Sequence, residues 1–183
     1  MKWKNKKPRR ELDFYPTPSW ATKVLLHYHP LDNDLVLEPC SGSGDITSVL
    51  SNYTANIVTN DICNSRNADH HLDMTVKSSW DQFENGFDWI ITNPPFSEAP
   101  KIIPLAFEYG RRMAMLLRLS YLEPCNNRAD WLIENPPCHL IVLPRISFTG
   151  DGKTDSVTAA WFVWEYSNKD KQKLTLVPKS FKI

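Results

Sequence analysis

Segment 93–96 places an asparagine, two prolines and a phenylalanine directly after an apolar run that predicts a buried strand. Each proline fixes its own φ at about −65° and restricts the residue before it, so Asn93 and the Pro94 carbonyl are held in a nearly rigid arrangement. This arrangement offers two acceptors, which can bind both hydrogens of an amino group. Although Asn-Pro alone more often starts an ordinary turn, the rigidity and the preceding strand favour a functional site.

A second segment with chemical potential is 36–47, VLEPCSGSGDIT. A short apolar strand ends at Glu38, and Gly42 and Gly44 precede a stretch that predicts a helix, so backbone amides can approach a ligand closely. Asp61 ends another apolar run, where a carboxylate can accept hydrogen bonds from both hydroxyls of a ribose. These features predict an adenosine-bearing cofactor. The third glycine of the dinucleotide fingerprint is absent, which disfavours a nicotinamide-dependent oxidoreductase.

Taken together, these motifs resemble those of S-adenosylmethionine-dependent amino-methyltransferases, with the glycine segment, Asp61 and segment 93–96 in the same order. Upstream, segment 13–18 (Asp-Phe-Tyr-Pro-Thr-Pro) looks like the additional N-terminal motif of DNA adenine methyltransferases. Segments 145–148, 150–153 and 159–162 are similar to the closing part of small bacteriophage-type DNA adenine-N6 methyltransferases. The resemblance covers roughly residues 13–166. Cys40 departs from it, because a small alanine or glycine is commoner there.

The resemblance implies methyl transfer from S-adenosylmethionine to the N6 amino group of adenine in DNA. An aromatic amine is a poor nucleophile because its lone pair is delocalised into the ring. Hydrogen-bond acceptors for both of its hydrogens make the lone pair more available. The base, flipped out of the duplex or already single-stranded, is expected to stack on Phe96. The implied catalytic residues are Asn93, Pro94, Pro95 and Phe96; the implied substrate contacts are Phe96, Arg145 and Lys153. The implied cofactor contacts are Tyr15, Thr17, Pro18, Glu38, Pro39, Cys40, Gly42, Gly44, Asp61, Ile62, Asp73, Met74 and Asn93.

The elements that must position these residues alternate between apolar runs and stretches of helical spacing, which predicts an α/β fold. The resemblance implies a Rossmann-like, seven-stranded, mostly parallel sheet with one antiparallel strand near the C-terminus. Thr17 is expected to be the N-cap of the first helix and Pro18 its first residue. Segment 71–74 is expected to form the tip of the third strand. Candidate strands are 35–37, 56–59, 88–92, 113–119, 140–143 and 160–164.

Composition sets the limits of this interpretation. The 183 residues suffice for one domain, 13–183, after a basic and flexible arm, 1–12, and leave no room for a separate target-recognition domain. Lysine and arginine balance aspartate and glutamate at 21 each, yet both ends of the chain are rich in lysine and suited to phosphates. Four cysteines without CxxC spacing and no long apolar run favour a cytoplasmic protein without a membrane span. A monomer is favoured.

Several alternatives remain open. The same motif chemistry suits an RNA base or a protein glutamine amide, and a chain that has lost catalysis would be a non-catalytic cofactor- and nucleic-acid-binding module. Asp69, His70, His71 and Asp73 form a cluster, but adjacent histidines point in different directions, so no metal site is predicted. Segment 149–154 superficially resembles a phosphate-binding loop. It lacks the upstream glycine and is expected to form a loop beside the substrate.

Overall fold

The computed structural model describes residues 15–83, 86–125, 127–146, 157–168 and 171–181. The expected arm 1–12, the loop 149–154 and Lys153 lie outside these residues. Within them, no helix combines the length and apolar character needed to cross a membrane. The helices are α1 (Ser19–Tyr28), α2 (Asp45–Leu50), α3 (Lys77–Trp80), α4 (Ala99–Tyr109) and α5 (Asn127–Glu134); the strands are β1 (Val36–Glu38), β2 (Ile57–Thr59), β3 (Phe87–Thr92), β4 (Gly110–Arg118), β5 (His139–Val142), β6 (Ala159–Glu165) and β7 (Lys173–Leu176).

The seven strands form one sheet in the order β2-β1-β3-β4-β6-β5-β7. Strand β6 runs antiparallel to both of its neighbours, β4 and β5, whereas the other neighbouring pairs are parallel. The prediction of a seven-stranded, mostly parallel sheet with one antiparallel strand near the C-terminus is therefore confirmed. Because β2, β1 and β3 are adjacent and parallel, their carboxyl ends lie along one edge, the place where open α/β sheets bind ligands.

Helices cover both faces of the sheet, and the strands alternate to supply two apolar layers. On β3, Trp89 and Ile91 pack with α1 and α2, whereas Ile90 packs with α3 and α4. Such alternation is the consequence of the two-residue period of a strand. Trp161 of β6 also donates an indole hydrogen bond to the Ala21 carbonyl at 2.8 Å, which ties α1 to the middle of the sheet.

The six strand candidates match β1 to β6 with shifts of a few residues at their ends, and one further expectation was wrong. Segment 71–74 is not a strand tip, because the chain makes only an isolated bridge between Asn60 and His70 there. The seventh strand is β7, which lies beside β5 at the end of the sheet farthest from β2. It begins with Lys173, and its Leu174 and Leu176 are exposed, so the usual apolar pattern of a buried strand is weak.

The start of α1 also differs from the prediction. Pro18 is the N-cap, with an extended ψ of 137°, and no side chain caps the helix. Thr17 is 4% exposed, and its hydroxyl accepts a hydrogen bond from Asn93 instead of capping the helix. Trp20 is 37% exposed, whereas Leu26 is buried.

A partly buried polar cluster joins the C-cap of α1 to β5 and β7. His29 Nε2 lies 2.9 Å from His139 Nδ1, and His139 Nε2 lies 2.9 Å from the Thr175 hydroxyl. Burial lowers the pKa of His139 to about 4. The charges of His29 and Lys173 also lower this pKa, whereas the charge of Glu165 raises it. Burial lowers the pKa of His29 as well. Both rings are therefore neutral in the folded protein at neutral pH.

We predict that this cluster limits stability in acid. A histidine whose pKa is depressed in the folded state contributes stability above its unfolded pKa of 6.5, and that contribution is lost as the pH falls toward about 4. His139→Gln should therefore flatten the fall of Tm between these two pH values, as measured by calorimetry across the range. An acid limb identical to that of the wild type would contradict the assignment.

Candidate active site

The residues singled out by sequence meet at the carboxyl edge of β2, β1 and β3. Glu38 pairs with Thr59 in the parallel register, so Glu38 and Asp61 lie close together where β1 and β2 end. Asn93 directly follows β3, the other neighbour of β1. They line one cleft, here called the cofactor cleft, whose wall consists of Tyr15, Thr17, Glu38, Pro39, Cys40, Ser41, Gly42, Asp45, Ile46, Asp61, Ile62, Cys63, Arg66, Leu72, Asp73, Met74, Thr75, Asn93, Pro95, Glu98 and Ile102.

Asp61 holds the glycine segment in place. Its Oδ2 accepts a 2.8 Å hydrogen bond from the Gly42 amide, and its Oδ1 accepts one from the Cys63 amide at 2.9 Å. Gly42 has a φ of 56°, in the left-handed region that favours glycine. Each carboxylate oxygen keeps a further lone pair, so Asp61 can both fix the backbone and accept hydrogen bonds from a ligand.

Asn60 is a structural residue of the site that the sequence reasoning missed. Its side chain is fully buried, donates to the Pro39 and Leu72 carbonyls and accepts from the Leu72 amide. Its backbone carbonyl also accepts from the Ser41 amide at 2.9 Å. Asn60 thus joins the glycine segment to the segment that carries Asp73. The available signal was a polar side chain between a strand and its terminal acid.

Glu38 is almost completely buried at 1% exposure. Burial raises the pKa of its carboxyl to about 8; the Thr47 hydroxyl, which donates to Glu38, opposes the rise, and the charges of Asp45 and Asp61 add to it. A cation placed beside this carboxyl favours its ionised form. Burial and the charges of Asp61 and Glu38 raise the pKa of the Cys40 thiol to about 12, which favours the neutral thiol.

The Asn93 amide has a fixed orientation. Its Nδ2 donates to the Tyr15 carbonyl at 2.9 Å and to the Thr17 hydroxyl at 3.1 Å, which uses both of its hydrogens. The Oδ1 atom is therefore on the other branch of the amide, and no described residue donates a hydrogen bond to it. The Tyr15 carbonyl and the Thr17 hydroxyl thus fix the orientation of the Asn93 side chain, a contact that the sequence did not predict.

The two prolines have different hydrogen-bonding environments. The Pro95 carbonyl accepts from the amides of Glu98 and Ala99, both at 2.9 Å, and so leads into α4. No donor from the described residues reaches the Pro94 carbonyl. Asn93 Oδ1 and the Pro94 oxygen are thus acceptors of adjacent residues on a rigid segment; Asn93 lines the cofactor cleft, whereas Pro94 is buried and lines neither cleft.

Phe96 lies beyond these acceptors. Its ring is stacked on Tyr15, with centroids 5.6 Å apart, and the Arg118 guanidinium carbon lies 4.6 Å from its centroid. Phe96 and Tyr15 form part of a second cleft next to the first, here called the arginine cleft. Its wall consists of Tyr15, Phe96, Ser97, Ala99, Leu117, Arg118, Ser120, Tyr121 and Arg128.

The structure brings most of the expected cofactor contacts together. All line the cofactor cleft except Pro18 and Gly44, which are the N-caps of α1 and α2. Asp73 lines it with its Oδ1 bound to Thr75, whose hydroxyl and amide lower the pKa of Asp73.

Arg145, an expected substrate contact, lies elsewhere, in a groove with Lys23 and Lys179. Lys153 falls outside the described residues.

The acid and histidine cluster makes separate contacts. Asp69 accepts hydrogen bonds from the Thr59 amide and hydroxyl, and these lower its pKa. His71 Nδ1 lies 3.0 Å from the Asp61 carbonyl, and the His70 ring packs edge-on against Phe83. Over the described parts of the chain, no three histidine, cysteine, aspartate or glutamate side chains are grouped so that they could hold a metal ion.

Comparison with solved structures identifies the fold. Residues covering 92% of this chain align with 48% of a modification subunit of a putative type I restriction enzyme from Vibrio vulnificus, with a TM-score of 0.67 and 13% identity. A putative RNA methyltransferase from Pyrococcus horikoshii aligns over 89% of this chain and 91% of its own, with a TM-score of 0.62 and 15% identity. A dimethyladenosine transferase from Plasmodium falciparum has a TM-score of 0.55 at 13% identity, over 83% of this chain and 62% of its own. The fold is the Rossmann-like methyltransferase fold.

This chain spans about half the length of the restriction-enzyme subunit, 48%. No protein-family model matches the sequence. A search of curated proteins finds no significant match either. The likeness to these structures is therefore one of fold.

We predict that Glu38 lowers the stability of the ligand-free protein. The pKa of Glu38 is about 8 in the folded state against 4.5 in the unfolded chain. The unfolded chain therefore ionises first, and the folded state loses stability as the pH rises from 4.5 to about 8. Glu38→Gln mimics the protonated carboxyl and keeps a partner for Thr47. The Tm of this variant relative to the wild type should rise between these two pH values. A constant difference in Tm across the range would refute the prediction.

Proposed function

We propose that the protein is an S-adenosylmethionine-dependent methyltransferase that methylates the N6 amino group of adenine in DNA. The observation that carries the proposal is a pair of acceptors that no described donor reaches, Asn93 Oδ1 and the Pro94 carbonyl, in the segment that joins the cofactor cleft at Asn93 to the arginine cleft at Phe96. A planar amine that donates one hydrogen to each acceptor is held in place, and its lone pair becomes more available. Phe96 offers a ring on which the base can stack, once it is flipped out or single-stranded.

The residues of the cofactor cleft fit S-adenosylmethionine. Asp61 and Asp73 keep carboxylate oxygens for hydroxyl and amino donors, and Glu38 provides a carboxyl that a cation would ionise. The buried Ser41 hydroxyl has no hydrogen-bond partner among the described residues and is available to the same ligand. The cofactor, when bound, supplies a methyl group whose bond to sulfur breaks as the amine lone pair forms the new bond to carbon; one amine proton leaves to solvent.

The choice of DNA adenine rests on the N-terminal motif. Tyr15 and Thr17 belong to the segment that resembles DNA adenine methyltransferases, and both hold the Asn93 amide. The modification subunit of a type I restriction enzyme is among the structural neighbours, which supports the same choice. We further propose that the groove of Lys23, Arg145 and Lys179 contacts the phosphates of bound DNA.

The proposal is tested in four parallel reactions, each containing the purified protein, S-adenosylmethionine and one substrate. The substrates are duplex DNA, single-stranded DNA, RNA and a protein extract. Mass spectrometry of nucleosides and peptides should detect N6-methyladenine in DNA. Asn93→Ala should lower the rate by about 10²-fold or more, because it removes one preorganised interaction with the reacting group. Asn52→Ala is the matched control, since Asn52 bonds only to carbonyls within α2. Methylation confined to RNA or glutamine would overturn the substrate; DNA methylation unaffected by Asn93→Ala would overturn the mechanism.

Thr17 is proposed to position Asn93. Thr17→Val removes one of the two acceptors of the Asn93 amide, whereas Thr17→Ser keeps a hydroxyl there. We expect kcat to fall about tenfold in Thr17→Val, which corresponds to the loss of about 1.4 kcal/mol of transition-state stabilisation. Thr17→Ser should retain most of the wild-type kcat. Equal losses in the two variants, or a change confined to KM, would argue that the hydroxyl does not orient Asn93.

A further inference from the structure

The two clefts at the active site differ in the sign of their charge. The cofactor cleft has five carboxyl side chains and one arginine in its wall, whereas the arginine cleft has two arginines and no acid among its described lining residues. Tyr15 belongs to both walls, so the change of sign occurs across one aromatic ring. An acidic cleft suits a cationic cofactor, and its basic neighbour suits an anionic substrate. The acids are Glu38, Asp45, Asp61, Asp73 and Glu98.

Arg118, the last residue of β4, lies directly against the candidate catalytic segment. Its guanidinium carbon is 4.6 Å from the Phe96 ring centroid, and its Nε is buried without a hydrogen-bond partner. No described carboxylate forms an ion pair with it. A guanidinium that is partly removed from water without a counter-charge is costly unless a ligand supplies the missing acceptors.

Arg128, in the first turn of α5, is held by different contacts on the same cleft. Its guanidinium carbon lies 4.9 Å from the Tyr121 centroid, and its Nη2 donates to the Glu123 carbonyl and to Cys125 Sγ, both at 2.7 Å. Its Nε is buried and unpartnered, and no described acid pairs with it. The side chain is therefore fixed by neutral partners, and its positive charge is not neutralised by the described residues.

We propose that Arg118 and Arg128 together bind the phosphodiester backbone of the DNA strand whose adenine enters beside Phe96. The planar guanidinium forks match phosphate oxygens, and stacking on Phe96 and Tyr121 reduces the entropy lost on binding. This inference rests on the proposed function, because it gives the arginine cleft the strand that carries the target base. It assigns substrate binding to two residues that lie outside the recognised motifs.

The test is the salt dependence of DNA affinity, measured by fluorescence anisotropy with a labelled duplex and the corresponding RNA, in the presence of S-adenosylhomocysteine. Arg118→Gln and Arg128→Gln should each weaken DNA binding and lower the slope of log Kd against log salt concentration by about 1. Arg118→Lys and Arg128→Lys should keep the slope, because they keep the charge. Arg111→Gln is the matched control, since Arg111 lies at the start of β4, at the opposite end of the strand from Arg118.

The outcomes separate this inference from the proposed function. An unchanged slope in both glutamine variants, or an equal change in Arg111→Gln, would overturn the phosphate site even if the wild type methylates DNA. Slope changes specific to Arg118 and Arg128 would support it even if no N6-methyladenine forms. The same slope changes with tighter binding to RNA would overturn the assignment to DNA. Binding of S-adenosylhomocysteine by each variant checks that the fold is intact.

Discussion

The orientation of the Asn93 side chain depends on two hydrogen bonds that its amide nitrogen donates to Tyr15 and Thr17. These bonds use both amide hydrogens and leave Oδ1 as an acceptor beside the Pro94 carbonyl. Segment 15–17 leads into α1, which packs against the sheet and is tied to it by the bond from Trp161 to Ala21. The geometry of a single side chain at the candidate active site therefore depends on the packing of a helix on the sheet.

Electrostatics impose a second constraint on the same edge of the sheet. Acidic side chains converge there because the carboxyl ends of β1 and β2 are adjacent. Burial and this crowding raise the pKa of Glu38 to about 8, so the ionised carboxylate is unfavourable in the empty cleft. A cationic ligand beside it would favour the ionised form. Functional sites commonly retain such unfavourable arrangements at some expense of stability. The partly buried histidine pair lies among α1, β5 and β7, away from the lining residues of the cofactor cleft.

Local patterns were sufficient to predict strands β1 to β6, whereas the candidate cofactor contacts were implied by the family resemblance. Strands β1 to β6 are apolar runs bounded by polar residues, and residues that line the cofactor cleft come at the ends of β1, β2 and β3, so position along the chain indicates position in the fold. Edge features were harder to predict, because β7 is exposed and segment 71–74 makes a single bridge. Long-range contacts were not predictable from local patterns. Neither the bonding of Thr17 to Asn93 nor the placing of Arg118 on Phe96 has a local sequence signal, and the only local signal for Asn60 is its polar side chain between a strand and its terminal acid.

The central claim is that Asn93 Oδ1 and the Pro94 carbonyl bind the two hydrogens of the target amine. A crystal structure of the protein with S-adenosylhomocysteine and an adenine-containing oligonucleotide tests it most directly. The account predicts that adenine N6 lies within about 2.7–3.2 Å of both oxygens, the range of N–H···O hydrogen bonds, with Asn93 Nδ2 still bonded to segment 15–17. A target base held elsewhere, or an Asn93 amide rotated so that its nitrogen faces the base, would contradict the account.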